Sequence, residues 1–573
     1  HRVADRGLLA LGDEMIERLP PRWTLVLASR VTPALALARV RAAGELVEFD
    51  QEALRFSVAE TQAFARAEGS ADASALFERT EGWPAGLRLA VAAAKASQAG
   101  AAAGALRAGS DVRLERDLAD YLAREVIDPL PPPLRDFLLR TSVLPELTAA
   151  RGAAVSGDER AAERLEDIER RALFVTVLDA QERTLVLHDL LRDALALRLA
   201  QRLPGERGPL LRRAAASEPD PVRRVGFLLE AQDWAAAEDA LTAAANELFV
   251  AGGAGEVRSL VERFDAGWRQ RSARLARLSG LVTFLRWQWE PMAAHFRAAE
   301  AAALAAGDER ERQLAQAYLA MPLYALDRNP EAEALIARLH GEALAPHTRR
   351  VLLMADATQH MRRGQLDAVR ALYAEVIASL EASRELFEWW ECVPPANWST
   401  LPGLRALIER HTAGALALIG ARPLPLRGEV LMQRAFTHLW AGRLDAARAD
   451  AAQAEDDLNW LACSGEMEIS VQLFRLLEGA MSGRADDVRA RLQGMFEREA
   501  GSGGERRRLW QHQVAIYGVR VNDTLGAPPE VIAQWAGWLK ENPLVDDTHQ
   551  NARAVATRGR HAAAGGRWEE AAS

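Results

Sequence analysis

LPPRWTLVLASR (residues 19–30), PALALARVRAAGELVEF (33–49), LRFSVAETQAFA (54–65) and TEGWPAGLRL (80–89) decide how this chain is to be read. The apolar run 23–28, set between Pro20-Pro21 and Arg30, suits a short strand buried on both faces of a parallel sheet. Residues 44–49 (GELVEF) read as the next strand. From Ser57 onward the apolar spacing turns helical, through Phe64, Leu76-Phe77, Leu87 and Val91, and the turn Gly82-Trp83-Pro84 interrupts it. Upstream, residues 1–19 read as a helix with Leu8, Leu9, Leu11, Met15, Ile16 and Leu19 on one face, stopped by the two prolines.

Downstream, the glycine- and alanine-rich piece 97–110 (SQAGAAAGALRAGS) reads as a linker. Helices are expected over 121–127, 134–139 and 163–171, with Pro129 and Pro131-Pro132-Pro133 between the first two. Two β-prone runs, 173–178 and 184–187, form a hairpin, and a helix follows over 188–199. Three helices, a hairpin and a closing helix make a winged-helix layout. Beyond Pro204 the chain is helical and repetitive. A turn signature starting on glycine recurs at Gly364, Gly442, Gly483 and Gly566, with degenerate copies at Gln232, Trp287 and Asp327, mostly at one or two steps of about 40 residues. Glycine ends one helix in the left-handed conformation, and small residues after it let the next pack closely, so the prediction is a solenoid of helical hairpins.

Bulk properties agree. A chain of 573 residues is too long for one core. Apolar residues are 49% of the chain, much of that alanine, and aromatics only 6%, which favours helix. The net charge of −9 argues against a basic nucleic-acid module dominating the chain. Cys392 and Cys463 alone exclude a disulfide framework or a cysteine-built zinc site and suit a reducing cytoplasm. No signal peptide is seen, and no apolar run approaches the ~20 residues that span a bilayer.

With these pieces placed, four stretches carry a resemblance: 19–49, TEGWPAGLRLA (80–90), DYLAREVIDPLPPPLRDFLLRTSVL (120–144) and LFVTVLD with LVLHDLLRDAL (173–179 and 185–195). Their order resembles the large ATP-binding LuxR-type regulators, the MalT-like group of STAND-class signal-transduction ATPases. The resemblance is local over residues 1–200 and architectural beyond. It implies a mainly α, multidomain chain: the C-terminal part of an α/β nucleotide-binding domain (1–56), a helical domain with a Gly-x-Pro motif (57–110), a winged helix (111–203) and a TPR-like α-solenoid sensor (204–573). In that family a P-loop domain comes first and a LuxR-type helix-turn-helix last. Neither motif is found here, so the chain is expected to be the middle of a longer protein.

The resemblance also assigns nucleotide-binding roles. Arg30, at the end of its apolar run, would sense the γ-phosphate; its alternative is a surface arginine paired with a carboxylate. Gly82 and Pro84 match the Gly-x-Pro motif whose proline packs on adenine, while Pro84 equally suits the first turn of a helix. His188 stands where the winged helix sets a histidine against the β-phosphate of ADP, or simply closes a strand–helix junction. ATP or ADP with Mg2+ is the implied cofactor, and at most a slow regulatory ATPase activity. Implied partners are a small-molecule or protein inducer on the solenoid, further copies of the activated chain, and promoter DNA through a separate C-terminal domain. Arg39, Arg41 and the pairs Asp456-Asp457, Asp486-Asp487 and Asp546-Asp547 read as solvated helix charges, not metal ligands. The tryptophans of residues 389–538 read mostly as packing between repeats, some as the lining of an effector pocket. Two other readings stand beside the regulator: a helical-repeat interaction scaffold without nucleotide switching, and an α-helical enzyme, for which no acid–base constellation is found.

Overall fold

The computed structural model describes short stretches between residues 15 and 91, then residues 122–543 with brief interruptions (172, 174, 180–183, 285–287, 327, 395–397, 400, 461–465 and 502–504), and finally 554–559 and 562. The described chain is mainly α-helical, with two compact units, residues 1–233 and 234–573.

In the first unit, α1 spans Leu37–Ala42, α2 Val58–Ala67 and α3 Ala73–Thr80. A capping box starts α2: Ser57 N donates to Glu60 Oε2 (2.8 Å) and Glu60 N donates to Ser57 Oγ (3.2 Å). Ala65, Leu87 and Val91 form a small core with Phe56, Phe64 and Trp83 against it. Among the described residues the expected strands do not form. Residues 23–27 and 45–49 take no strand conformation, and Trp23, Val26, Val47 and Phe49 are all at least 69% exposed. A strand exists only while a neighbour takes up its N–H and C=O groups, and no described residue pairs with either stretch.

The winged helix is present and larger than expected. After a π-helical turn, Ala123–Ile127, come α4 (Pro132–Thr141), α5 (Ala149–Ser156) and α6 (Ala161–Arg170). Pro132 and Pro133 occupy the first turn of α4, where their missing N–H groups cost nothing. The additional helix, α5, is capped by Thr148 and ended by Gly157 at φ 76. Strands β1 (Val175–Asp179) and β2 (Thr184–Leu187) pair antiparallel, Val175 opposite Leu187 and Asp179 opposite Thr184. Leu147 adds a bridge to Leu185 on the other side of β2 (2.7 and 2.9 Å). Leu185 and Leu187 point inward and belong, with Leu134, Phe137, Leu165, Ile168 and Leu191, to the fully buried residues. Helix α7 (Asp189–Arg202) follows β2. The hairpin α8 (Arg207–Ser217) and α9 (Pro221–Glu230) belongs to this same unit, where Glu218 pairs with Arg151 at 3.1 Å.

The second unit is the solenoid. Its helices are α10 (Trp234–Val250), α11 (Ala254–Glu262), α12 (Ala266–Arg271), α13 (Ala273–Phe284), α14 (Trp289–Ala306), α15 (Glu309–Ala325), α16 (Asn329–His340), α17 (Pro346–Arg362), α18 (Leu366–Glu381), α19 (Leu386–Glu391), α20 (Arg405–Ile419), α21 (Pro425–Trp440), α22 (Leu444–Trp460), α23 (Glu466–Met481), α24 (Ala485–Gly501), α25 (Glu505–Thr524) and α26 (Pro529–Glu541). The signature glycines Gly364, Gly442 and Gly483 take φ of 71, 73 and 73. Gln232, the degenerate copy, takes φ 55, alone among the described non-glycine residues; Gly566, Trp287 and Asp327 lie outside the described residues.

Other glycines serve packing. A Cβ on Gly280 would stand 2.7 Å from the Phe296 ring, on Gly414 2.4 Å from the Trp389 ring, and on Gly518 2.5 Å from the Trp535 ring. Helices therefore approach through a missing side chain that receives an aromatic face.

Some contacts depart from nearest-neighbour stacking. Phe249, at the end of α10, lies 5.7 Å from Phe387 of α19, and Gly252 lies against Pro425. The solenoid thus closes on itself across more than 130 residues of chain. Among the described residues no helix is long and apolar enough to cross a membrane.

Candidate functional site

Of the four residues assigned to a nucleotide, Arg30 lies outside the described residues. Gly82 is buried at φ 75, and a Cβ there would meet the Phe56 carbonyl oxygen at 2.1 Å. The same approach lets Phe56 N donate to the Gly82 oxygen at 2.8 Å. Glycine is therefore required at this turn on structural grounds alone. Pro84 is half-buried and opens a helical turn in which Leu87 N donates to the Trp83 oxygen (2.9 Å). His188 joins β2 to α7: its carbonyl oxygen accepts from Leu191 N (2.9 Å) and Arg192 N (3.0 Å), and the residue is half-buried. Gly82 and Pro84 belong to the α2–α3 region and His188 to the winged helix, with residues 92–121 between them outside the described part.

Arg41 pairs with Glu48 at 2.7 Å on the surface, as a solvated helix charge should. Asp486 and Asp487 are likewise exposed. Asp457 corrects that reading: it is buried, held by Arg427 at 3.0 Å, and burial raises its pKa above the usual carboxylate range. Asp546-Asp547 lie outside the described residues. No group of metal-ligating side chains occurs among the described residues.

A second constellation, silent in the sequence, lies inside the solenoid. Tyr318 of α15 donates to Glu391 Oε2 at 2.6 Å, and His347 Nε2 of α17 stands 2.7 Å from Glu391 Oε1. Two arginines flank it, each already bonded: Arg277 to Glu311, Arg350 to Glu388 and to Ser379 Oγ at 2.9 Å. Burial and the Glu391 charge push the Tyr318 hydroxyl well above its usual range. For His347, burial pulls downward but the Glu391 carboxylate outweighs it, so the imidazole is raised. Burial also raises the neighbouring Cys392 thiol far above its normal value. Beside Glu391 and Tyr318 is a cavity of about 20 Å3, lined otherwise by Phe284, Met292, Met321, Met354 and small apolar residues. No tryptophan lines it. Trp389 and Trp398 are instead buried core, and Trp535 packs on Phe496.

The members of this constellation are 29 and 44 residues apart on three helices. The one signal that could have exposed them is polarity on otherwise buried helices: Arg277, Glu311, Arg350 and Glu391 are each at most 9% exposed.

Residues 123–207 match the family model of the MalT winged helix domain. The HTH-type transcriptional regulator MalT of Serratia proteamaculans is 34% identical over 207 residues, 34% of this chain and 22% of that protein. The regulator of the same name from Yersinia enterocolitica is 32% identical over 195 residues, 32% of this chain and 21% of that protein. The chain thus spans about a fifth of the length of these curated relatives. A signal transduction ATPase with a tetratricopeptide repeat sensor from Pyrococcus horikoshii covers 90% of this chain and 71% of its own, at 12% identity and a TM-score of 0.42.

Proposed function

From a chain that is MalT-like over about a third of its length and carries a MalT-type winged helix, we propose that it is the switch-and-sensor portion of a cytoplasmic transcription regulator. Adenine nucleotide with Mg2+ would be held jointly by Arg30, Gly82, Pro84 and His188. The local structure suits these roles. Pro84 is a rigid, half-buried apolar ring, and His188 stands at the start of a 14-residue helix, whose first-turn N–H groups and dipole favour a phosphate. The closed form would hold ADP. Inducer on the solenoid and ATP in the nucleotide site would favour an open, self-associating form, provided each binds that form better than the closed one. Promoter DNA would be engaged through another segment of the full-length protein.

The observation that carries this reading is the winged helix with its histidine at the β2–α7 junction. In the natural full-length protein, Pro84→Ala and His188→Ala should each weaken ADP binding tenfold or more by titration calorimetry, about 1.4 kcal/mol. Unchanged affinity in both variants, with the fold intact, would remove the nucleotide roles.

A further inference from the structure

Glu391 is the one carboxylate of the solenoid constellation that has no arginine of its own. Its side chain is 3% exposed, so its charge has little water to stabilise it. Arg277 acts on it only at a distance, being bonded to Glu311, and Arg350 is bonded to Glu388. The direct partners of Glu391 are the Tyr318 hydroxyl and the His347 ring. Glu311 and Glu388 each hold an arginine, whereas the only cationic group in direct contact with Glu391 is the His347 imidazole, which that carboxylate raises.

The adjoining cavity is lined by Glu391 and Tyr318 and is otherwise apolar. Its volume of about 20 Å3 suits one water-sized group, the size of an ammonium head. Around it, Met292, Met321 and Met354 form much of the wall. Unbranched thioether side chains can part without moving backbone, so the wall can admit a short alkyl chain behind such a head. Tyr318 is fixed, stacked on Phe296 at 5.1 Å, and with Phe284 offers aromatic surface to a cation.

We propose that this cavity is a binding site for a small organic cation, a primary amine whose ammonium head bonds Glu391 and whose apolar body lies among Met292, Met321 and Met354. A carboxylate ligand is excluded by repulsion from Glu391. A neutral polyol is disfavoured by a wall with two hydrogen-bonding side chains at one end only. The assignment names the ligand class for the sensing segment and rests on that reading of the solenoid.

The test is titration calorimetry of the full-length protein with n-butylamine, n-butanol and butyrate near neutral pH. Saturable binding of the amine is expected, with the alcohol at least tenfold weaker and no butyrate binding. Glu391→Gln should weaken the amine at least tenfold while leaving the alcohol unchanged. Absence of amine binding, or an alcohol that binds as well as the amine, overturns the proposal. The alcohol arm needs no variant, so it decides even if Glu391→Gln fails to fold. ADP binding measured on the same sample separates the two readings: an amine that fails while ADP binds overturns the cation site alone, and the reverse overturns the nucleotide switch alone.

Discussion

His411 shows how a single side chain sets pH behaviour. It is fully buried, face-on to Tyr373 at 6.0 Å and edge-on to Trp389 at 5.3 Å, and burial lowers its pKa from 6.5 to about 4. The unfolded chain takes up a proton below pH 6.5 that the folded chain refuses until about pH 4. Stability from this residue is therefore complete above pH 6.5 and is lost as pH falls, by about 3 kcal/mol at pH 4. Glu429 acts in the opposite sense. Burial raises it to about 7 even though Trp390 Nε1 donates to it, so stability is lost as pH rises from 4.5 through 7. The two slopes overlap and partly cancel. Urea melts between pH 4 and 7 in a Glu429→Gln background should expose the histidine slope, and His411→Phe in that background should flatten it.

At the scale of the element, helix propensity and packing conflict at Gly280. In an exposed helix, alanine would be more stable than glycine by about 1 kcal/mol. Here its methyl would press into the Phe296 ring, and overpacking of this kind costs about 1–3 kcal/mol. Gly280→Ala should therefore destabilise, whereas Gly255→Ala, with open space at its Cβ in α11, should not; thermal melts of the two variants give the comparison. The sequence revealed the elements whose cause is local. The winged-helix hairpin announced itself by two β-prone runs around a polar turn, and the repeat turns by glycines at fixed offsets. What it concealed depends on partners remote in the chain. The runs 23–28 and 44–49 have strand composition, but a strand also needs a neighbour. Helix α5, AARGAAVS, has little apolar periodicity, and its boundaries rest on the cap at Thr148 and the left-handed Gly157. Tyr318, His347 and Glu391 follow no motif, because three stacked helices bring them together at separations set by helix length.

For the molecule as a whole, the Phe249–Phe387 contact matters most. A solenoid stabilised only by nearest neighbours can fray from either end. This contact ties α10 to α19, and Trp390, edge-on to Phe387 at 6.4 Å, extends the tie to Glu429 of α21. Phe249→Ala and Phe387→Ala should each cost about 3–5 kcal/mol of stability. In a double-mutant cycle followed by urea unfolding, the two should be coupled by about 0.5–1.5 kcal/mol. Additive effects would mean that the two rings stabilise their own repeats and nothing larger.

Cys392 follows Glu391 directly in the chain, fully shielded and with its thiol kept protonated. Alkylating reagents attack the thiolate, so a maleimide gains this sulfur only when the core that Cys392 shares with Trp389 and Trp398 swings apart. The labelling half-life, read in a Cys463→Ser background, becomes a stopwatch for that breathing, carried by the chain without any attached dye.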